Sequence, residues 1–238
     1  MAQPGPSQID ATIESLDFPA ADVARLIVRP SRSEAFPFRA GQYAELDLGD
    51  GVSRSFSIAC APNADGRLEF HIRVMGADLE AAIGLLKVGG TIAVAGPQGL
   101  LALHADGRPM IMVAGGTGFA PIKALTEQYR HERLATPLHL YWGARSREDL
   151  YLASLAEQWV RAMPQFRYTP VLSAPKPADG WSGRTGWVHD AVMADYTRLD
   201  ELDLYAAGPP QMIVALRDAA LAKGLPPKRF FSDFAALD

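Results

Sequence analysis

Cys60 is the only cysteine in 238 residues. A disulfide framework, a cysteine-built zinc cluster and an iron–sulfur centre held by four thiolates are therefore beyond these residues, and any iron–sulfur relay that serves them is expected on another chain. Net charge is scarce too, at −4, which leaves no electrostatic footprint for nucleic acid or an anionic lipid surface. No apolar run approaches a membrane span, and the opening MAQPGPSQIDATIE has no basic segment followed by an apolar stretch. No membrane association is expected, and the cytoplasm is the expected compartment. Apolar residues at 48% against 21% charged are the proportions of a folded globular protein, which excludes wholesale disorder.

What is present changes character midway. Residues 1–8, with two prolines and a glycine, read as a loose tail. From residue 9 to about 104, short β-rich runs (DVARLIVRP, GQYAELDLGDG, RSFSIACAP, GRLEFHIRVM and GGTIAVAGP) are separated by Gly, Pro, Asn and Asp, the pattern of an antiparallel barrel or sandwich. One helix-like stretch, 79–87, interrupts them. Beyond the turn-like HADGRP, residues 105–238 alternate strand, turn and helix: 110–114 with 119–133, 138–142 with 149–163, then 167–172, 187–196, 202–206, 209–223 and 229–234. Such alternation predicts an α/β doubly wound parallel sheet, with ligand beyond the carboxyl ends of its strands.

The strongest local signal is GGTGFAP, residues 115–121, after the apolar run MIMVA and before a helical segment. Gly115, Gly116 and Gly118 permit a tight turn and close approach of a pyrophosphate, whose charge the helix start attracts; Thr117 adds a hydroxyl, and Pro121 suits a first helical turn. A tight turn without ligand is the plainer alternative. It is weakened by YAAGPPQM, residues 205–212, which again sets glycine and prolines between an apolar strand and a helix, so that two loops would form one crevice. In the first half, RSFS offers Arg54 as a cation for a phosphate, Phe56 as a flat apolar surface and Ser57 as a hydrogen-bonding group, the three things a flavin requires. As a bare tetrapeptide it equally suits an ordinary barrel strand.

Together and in this order, RSFSIACAP, GRLEFHIRV, GGTGFAPIKAL, LHLYWGARSREDLY, YAAGPPQM and FFSDF resemble the ferredoxin-NADP reductase superfamily over roughly residues 9–238. At YWGARSREDLY and GWSGRTGWVHDAV the chain looks most like the stand-alone NAD(P)H:flavin reductases. The resemblance implies a flavin-binding Greek-key β-barrel, residues 9–104, followed by an NAD(P)-binding domain, residues 105–238, in an oxidoreductase that moves hydride from NADH or NADPH to flavin N5. It places Arg54, Ser55, Phe56 and Ser57 against the flavin, with Ser57 at N5. His71, Ile72 and Arg73 fall on the next flavin-lining strand. Gly115, Gly116, Thr117, Gly118 and Pro121 fall at the nucleotide pyrophosphate, and Gly208, Pro209 and Pro210 at the nicotinamide. Phe234 falls at an aromatic position covering the flavin.

Two departures stand out. Ala207 replaces a cysteine common just before the Gly-Pro pair, and MGADLE, residues 75–80, replaces a turn with Ser or Thr that holds an FAD pyrophosphate. A bound flavin is expected to be FAD rather than FMN, and a diffusible flavin substrate stays open. So does an electron-transfer role with bound FAD, passing electrons to a separate ferredoxin, cytochrome or oxygenase, and so does a non-catalytic flavin or nucleotide sensor.

Among the remaining residues, Cys60 reads as a small buried side chain, and the other histidines lack metal-ligand spacing. Trp181 and Trp187 read as packing anchors. Arg145 and Arg147 follow the second strand of the nucleotide half, where they would meet a 2′-phosphate, with Glu148 and Asp149 offsetting them.

Overall fold

A computed structural model describes residues 7–31 and 36–233 of the chain. By contact density it divides into two units: one runs through Leu103 and takes in Lys123–His131, and the other holds His104–Ile122 and the residues from Glu132 on.

The first unit contains β1 (Ser7–Ala20), β2 (Val23–Pro30), β3 (Tyr43–Asp47), β4 (Ser53–Ser57), β5 (Leu68–Arg73), α1 (Ala77–Leu85) and β6 (Thr91–Gln98). Its strands are antiparallel in the order β4-β3-β6-β1-β2-β5, and a bridge between Ile58 and Phe70 joins the two edges. Closure into a barrel removes the unpaired rims that invite aggregation. Alternate residues point inward, so Leu26, Val28, Leu46, Leu68, Phe70, Ile72 and Val94 form one core, over which α1 lays Leu79, Ala82 and Ile83.

The longest strand, β1, is the element that the sequence pattern hides. Ala11 and Ile13 alternate inward, but register shifts after Ile13 and Asp17 break the period while the strand pairs with both β6 and β2. Ser7 and Gln8, read as tail, belong to it and face Gly96 and Ala95. α1 begins two residues before the expected 79, at Ala77, because Gly76 with φ 89° turns the chain into it.

The second unit contains β7 (Met110–Gly115), α2 (Phe119–His131, whose last nine residues count with the first unit), β8 (Leu138–Ala144), α3 (Ala153–Ala162), β9 (Phe166–Leu172), β10 (Arg184–Thr185), α4 (Val188–Asp195), β11 (Asp203–Ala207), α5 (Pro210–Ala222) and β12 (Phe230–Ser232). The six strands are parallel in the order β10-β9-β8-β7-β11-β12. Winding runs outward from β7 in one direction through β8 and returns on its other side at β11. The reversal lies between β7 and β11, and all six residues of β7 and all five of β11 are buried, as a doubly covered sheet requires.

The helix expected from 149 starts only at Ala153. Asp149 folds back onto Ser146, accepting from its amide and its hydroxyl at 2.9 Å each, and closes a separate turn at Arg147–Asp149. Among the described residues no helix is long and apolar enough to cross a membrane.

Candidate functional site

In the first unit, RSFS lies on β4, which pairs on one side with β3: Arg54 faces Leu46, Phe56 faces Ala44 and Ser57 faces Tyr43. Arg54 and Ser55 are exposed; Phe56 and Ser57 are half-buried, with Phe56 resting on the barrel core. The Arg54 guanidinium is engaged, with Nη2 donating to Asp78 Oδ2 at 2.9 Å and Nη1 to the Ser53 carbonyl at 2.9 Å. Asp78 was not among the residues read as functional. It stands second in α1, whose first turn holds two acids, Asp78 and Glu80, and whose cap Gly76 offers no side-chain acceptor.

The chain leaving β4 is held by buried charge. Lys123 Nζ donates to the Ala59 carbonyl, to Glu69 Oε2 and to Glu127 Oε1, each at 2.8 Å, while the Ala61 amide donates to Glu127 Oε2 at 3.1 Å. Burial works against the Lys123 ammonium, yet the two carboxylates outweigh it and its pKa is raised. Burial likewise opposes the Glu69 carboxylate, but hydrogen bonding to His71 and the charge of Lys123 bring its pKa down to about 2. Lys123 and Glu127 are one helical turn apart, and that pair is the one part of the cluster with a mark in the sequence.

Three expected lining residues on β5 do not present themselves. Ile72 points into the core beside Phe70 and is fully buried, because inward and outward positions alternate along a strand. His71 faces outward, but its side chain is covered completely and bound to Glu69 at 2.8 Å, and burial lowers its pKa. Arg73 is paired with Asp22. Cys60 is buried, its thiol pushed up to about 12 by desolvation, in keeping with a packing role.

In the second unit the two glycine loops meet at the carboxyl ends of β7 and β11. A Cβ added to Gly118 would lie 2.1 Å from the Ala207 carbonyl oxygen, and one on Gly115 would lie 2.6 Å from Met212 Sδ and 2.8 Å from Pro209 Cδ. Gly208, at φ 141°, packs on Gly115 in return. Three of these glycines thus serve the approach of one loop to the other. Gly116 differs: at φ 54° it takes a left-handed turn and, with Thr117, remains half-exposed. Its carbonyl accepts from Trp142 Nε1 at 3.0 Å, and the Trp142 ring stacks on Phe119 at 3.8 Å. Pro121, the third residue of α2, is buried and has no N–H to offer an anion, so its place is in the packing of the helix. Pro209 and Pro210 are exposed beyond β11.

After β8 the expected balance of charge is altered. Glu148 pairs with Lys176 at 2.6 Å, Asp149 is taken by Ser146, and Arg147 donates to the Asp179 carbonyl at 3.0 Å. Arg145 is exposed and makes no side-chain hydrogen bond or ion pair among the described residues. Trp187 is no packing anchor; it is 64% exposed, next to Val188, whose side chain lies where a Cβ on Gly143 would sit. Trp181 covers its own turn, with Gly183 beneath the ring. Phe234 lies outside the described residues.

The chemistry on offer suits a flavin at its ring end, where a half-buried aromatic and a hydroxyl follow one another at the end of β4. At its phosphate end the one cation already faces a carboxylate.

Comparison with known proteins agrees with this layout. Residues 11–102 match the oxidoreductase FAD-binding domain and residues 112–218 the oxidoreductase NAD-binding domain. The NAD(P)H-flavin reductase of Aliivibrio fischeri is 32% identical, over 88% of this chain and 90% of that protein. Reductase component 1 of the terephthalate 1,2-dioxygenase of a Comamonas species is 36% identical, over 95% of this chain and 68% of that protein. A cytochrome P450 reductase of Amycolatopsis superimposes with a TM-score of 0.88 at 28% identity, over 98% of this chain and 71% of that one. With both of its domains matched and a flavin reductase alike over most of both chains, the chain belongs to the oxidoreductases built from one FAD-binding and one NAD-binding domain.

Proposed function

We propose that this chain takes hydride from NADH or NADPH and delivers it to a flavin that enters oxidised and leaves reduced. When bound, the flavin supplies N5 as the hydride acceptor. The observation that carries the reading is that each unit holds its own half of the chemistry: an aromatic and a hydroxyl on β4 in the first, and two glycine loops at the strand-order reversal in the second. Ser57 holds N5 by hydrogen bond, and Phe56 offers its face to the ring. Gly116 and Thr117 turn backbone amides of a helix start towards the nucleotide pyrophosphate, and Gly208–Pro210 line the nicotinamide. Ala207 leaves no thiol beside the hydride path, and hydride transfer needs none.

The nucleotide's 2′ position falls to Arg145, whose acidic neighbours are engaged elsewhere. Trp187, an exposed indole with the His189 ring stacked at 6.5 Å, offers an aromatic surface for its base. Both nucleotides are expected to serve within about tenfold in kcat/KM, a gap of about 1.4 kcal/mol, with NADPH ahead. With a buried thiol and no membrane-spanning helix among the described residues, the cytoplasm is the compartment we assign.

A second reading, an FAD-bearing reductase component that feeds a separate ferredoxin or oxygenase, is favoured by the likeness to the dioxygenase reductase component. The visible spectrum after gel filtration separates the two. A colourless protein that oxidises NAD(P)H only when flavin is added supports the first; flavin bands that stay with the protein support the second.

A further inference from the structure

We infer that Asp78 is a specificity-determining residue of the flavin site, set against the phosphate of the flavin. The inference rests on the reading of Arg54–Ser57 as that site. Arg54 is the one cation of RSFS, and a guanidinium fork is suited to a phosphate. Here it is spent on Asp78 at 2.9 Å, with a second acid, Glu80, in the same first turn of α1.

The pair does not hold the fold together. Arg54 and Asp78 side chains are 52% and 55% exposed, and ion pairs so open to water add little stability. What the pair changes is the charge that an incoming phosphate meets. Arg54 alone presents +1; with Asp78 and Glu80 the local sum is −1. A phosphate must displace the Asp78 carboxylate from Arg54 and then sit beside it. The Asp78 side chain also folds back over the helix start, where Oδ1 lies 2.9 Å from the place a Cβ on Gly76 would take. The carboxylate therefore lies over the start of α1, where the helix amides would otherwise draw an anion.

Ring and hydroxyl contacts at Phe56 and Ser57 are untouched by this. Riboflavin, which has no phosphate, should bind by them alone, and FMN and FAD should gain little over it. Binding energy concentrated on the ring suits a flavin that arrives and departs as substrate.

The test is flavin binding by fluorescence quenching, without any turnover, with riboflavin, FMN and FAD on wild type, Asp78→Asn, Arg54→Ala and the double variant. Asp78→Asn is expected to tighten FMN and FAD by about threefold to thirtyfold while riboflavin moves less than twofold, and the gain should shrink at high salt. In the Arg54→Ala background the gain should fall well below that in wild type, since part of it depends on the freed guanidinium. Equal shifts for all three flavins, or no shift for any, overturn the inference. If wild type binds none of the three flavins, riboflavin included, it is the flavin-site reading itself that has failed.

Discussion

In the second unit the turn after β7 is held against the turn after β11 by main chain: Gly118 leaves room for the Ala207 carbonyl, and Gly208 lies on Gly115. In the first unit the chain after RSFS is held by side chains, as Lys123, Glu69 and Glu127 grip Ala59 and Ala61. Backbone contacts of the first kind have no tolerance, because neither partner has a rotamer to turn away. Side-chain contacts of the second kind are replaceable one at a time, but each removal leaves a buried charge behind. Of the three glycines in GGTGFAP, Gly116 alone is both left-handed and accessible. Substitution therefore separates glycines that shape the protein from the one proposed to face a nucleotide.

The largest expected effect breaks the backbone arrangement. Gly118→Val places carbon against the Ala207 carbonyl, which should cost upward of about 4 kcal/mol and appear as lost folding in a thermal melt. A Gly118→Val protein that melts like wild type and shows only a raised KM for NAD(P)H would show that the loops part easily. Gly116→Ala is the contrast: its left-handed turn costs about 1–2 kcal/mol, and the KM for the nucleotide should rise while flavin binding stays unchanged.

Lys123→Met tests the side-chain clamp. It strands Glu69, Glu127 and the Ala59 carbonyl, and should lower stability by about 3 kcal/mol in denaturant unfolding. Adding Glu127→Gln should recover part of that, since one of the two stranded charges is gone. The clamp also has a pH signature. Glu69 is lowered from 4.5 to about 2, so its contribution is present above 4.5 and is lost as pH falls towards 2. His71, lowered by burial, adds a loss that begins earlier, as pH falls below its unfolded value of 6.5. Acid unfolding of Glu69→Gln should be shallower between 4.5 and 2 than that of wild type.

Ser57→Ala touches neither device. It should slow single-turnover flavin reduction by about tenfold to a thousandfold with an unchanged melting temperature and unchanged nucleotide binding. A fast variant removes Ser57 from the reaction. The smallest effect belongs to Arg145→Ala, which should narrow the NADPH advantage to parity in steady-state kinetics, with the wild-type advantage itself shrinking at high salt. A preference beyond about a hundredfold in either direction would place the reader of the 2′ position elsewhere.

The strand-and-helix rhythm of the second half was legible in its main elements, because covered parallel strands such as 110–115 are unbroken apolar runs. Most barrel strands were legible from alternation. β1 was not, since its two register shifts scramble the period over which one strand serves two neighbours. RSFS and GGTGFAP were visible as motifs because their chemistry is local. Asp78 and the Lys123 clamp were not, because Asp78 stands 24 residues from Arg54 and Lys123 stands 54 from Glu69.

By itself the sequence determined the two-part architecture, the order of its motifs and the exclusion of cluster-forming cysteines, all of which follow from periodicity and residue type. Only the tertiary structure decided which of those residues are free to act. It spent Arg54 on Asp78, sealed Ile72 in the core, buried Pro121 and His71, and left Arg145 and Trp187 open. The reason is physical: strand and helix period settle which way a side chain points, but availability depends on what long-range neighbours cover or pair it, and neighbours distant in sequence leave no mark on the local pattern.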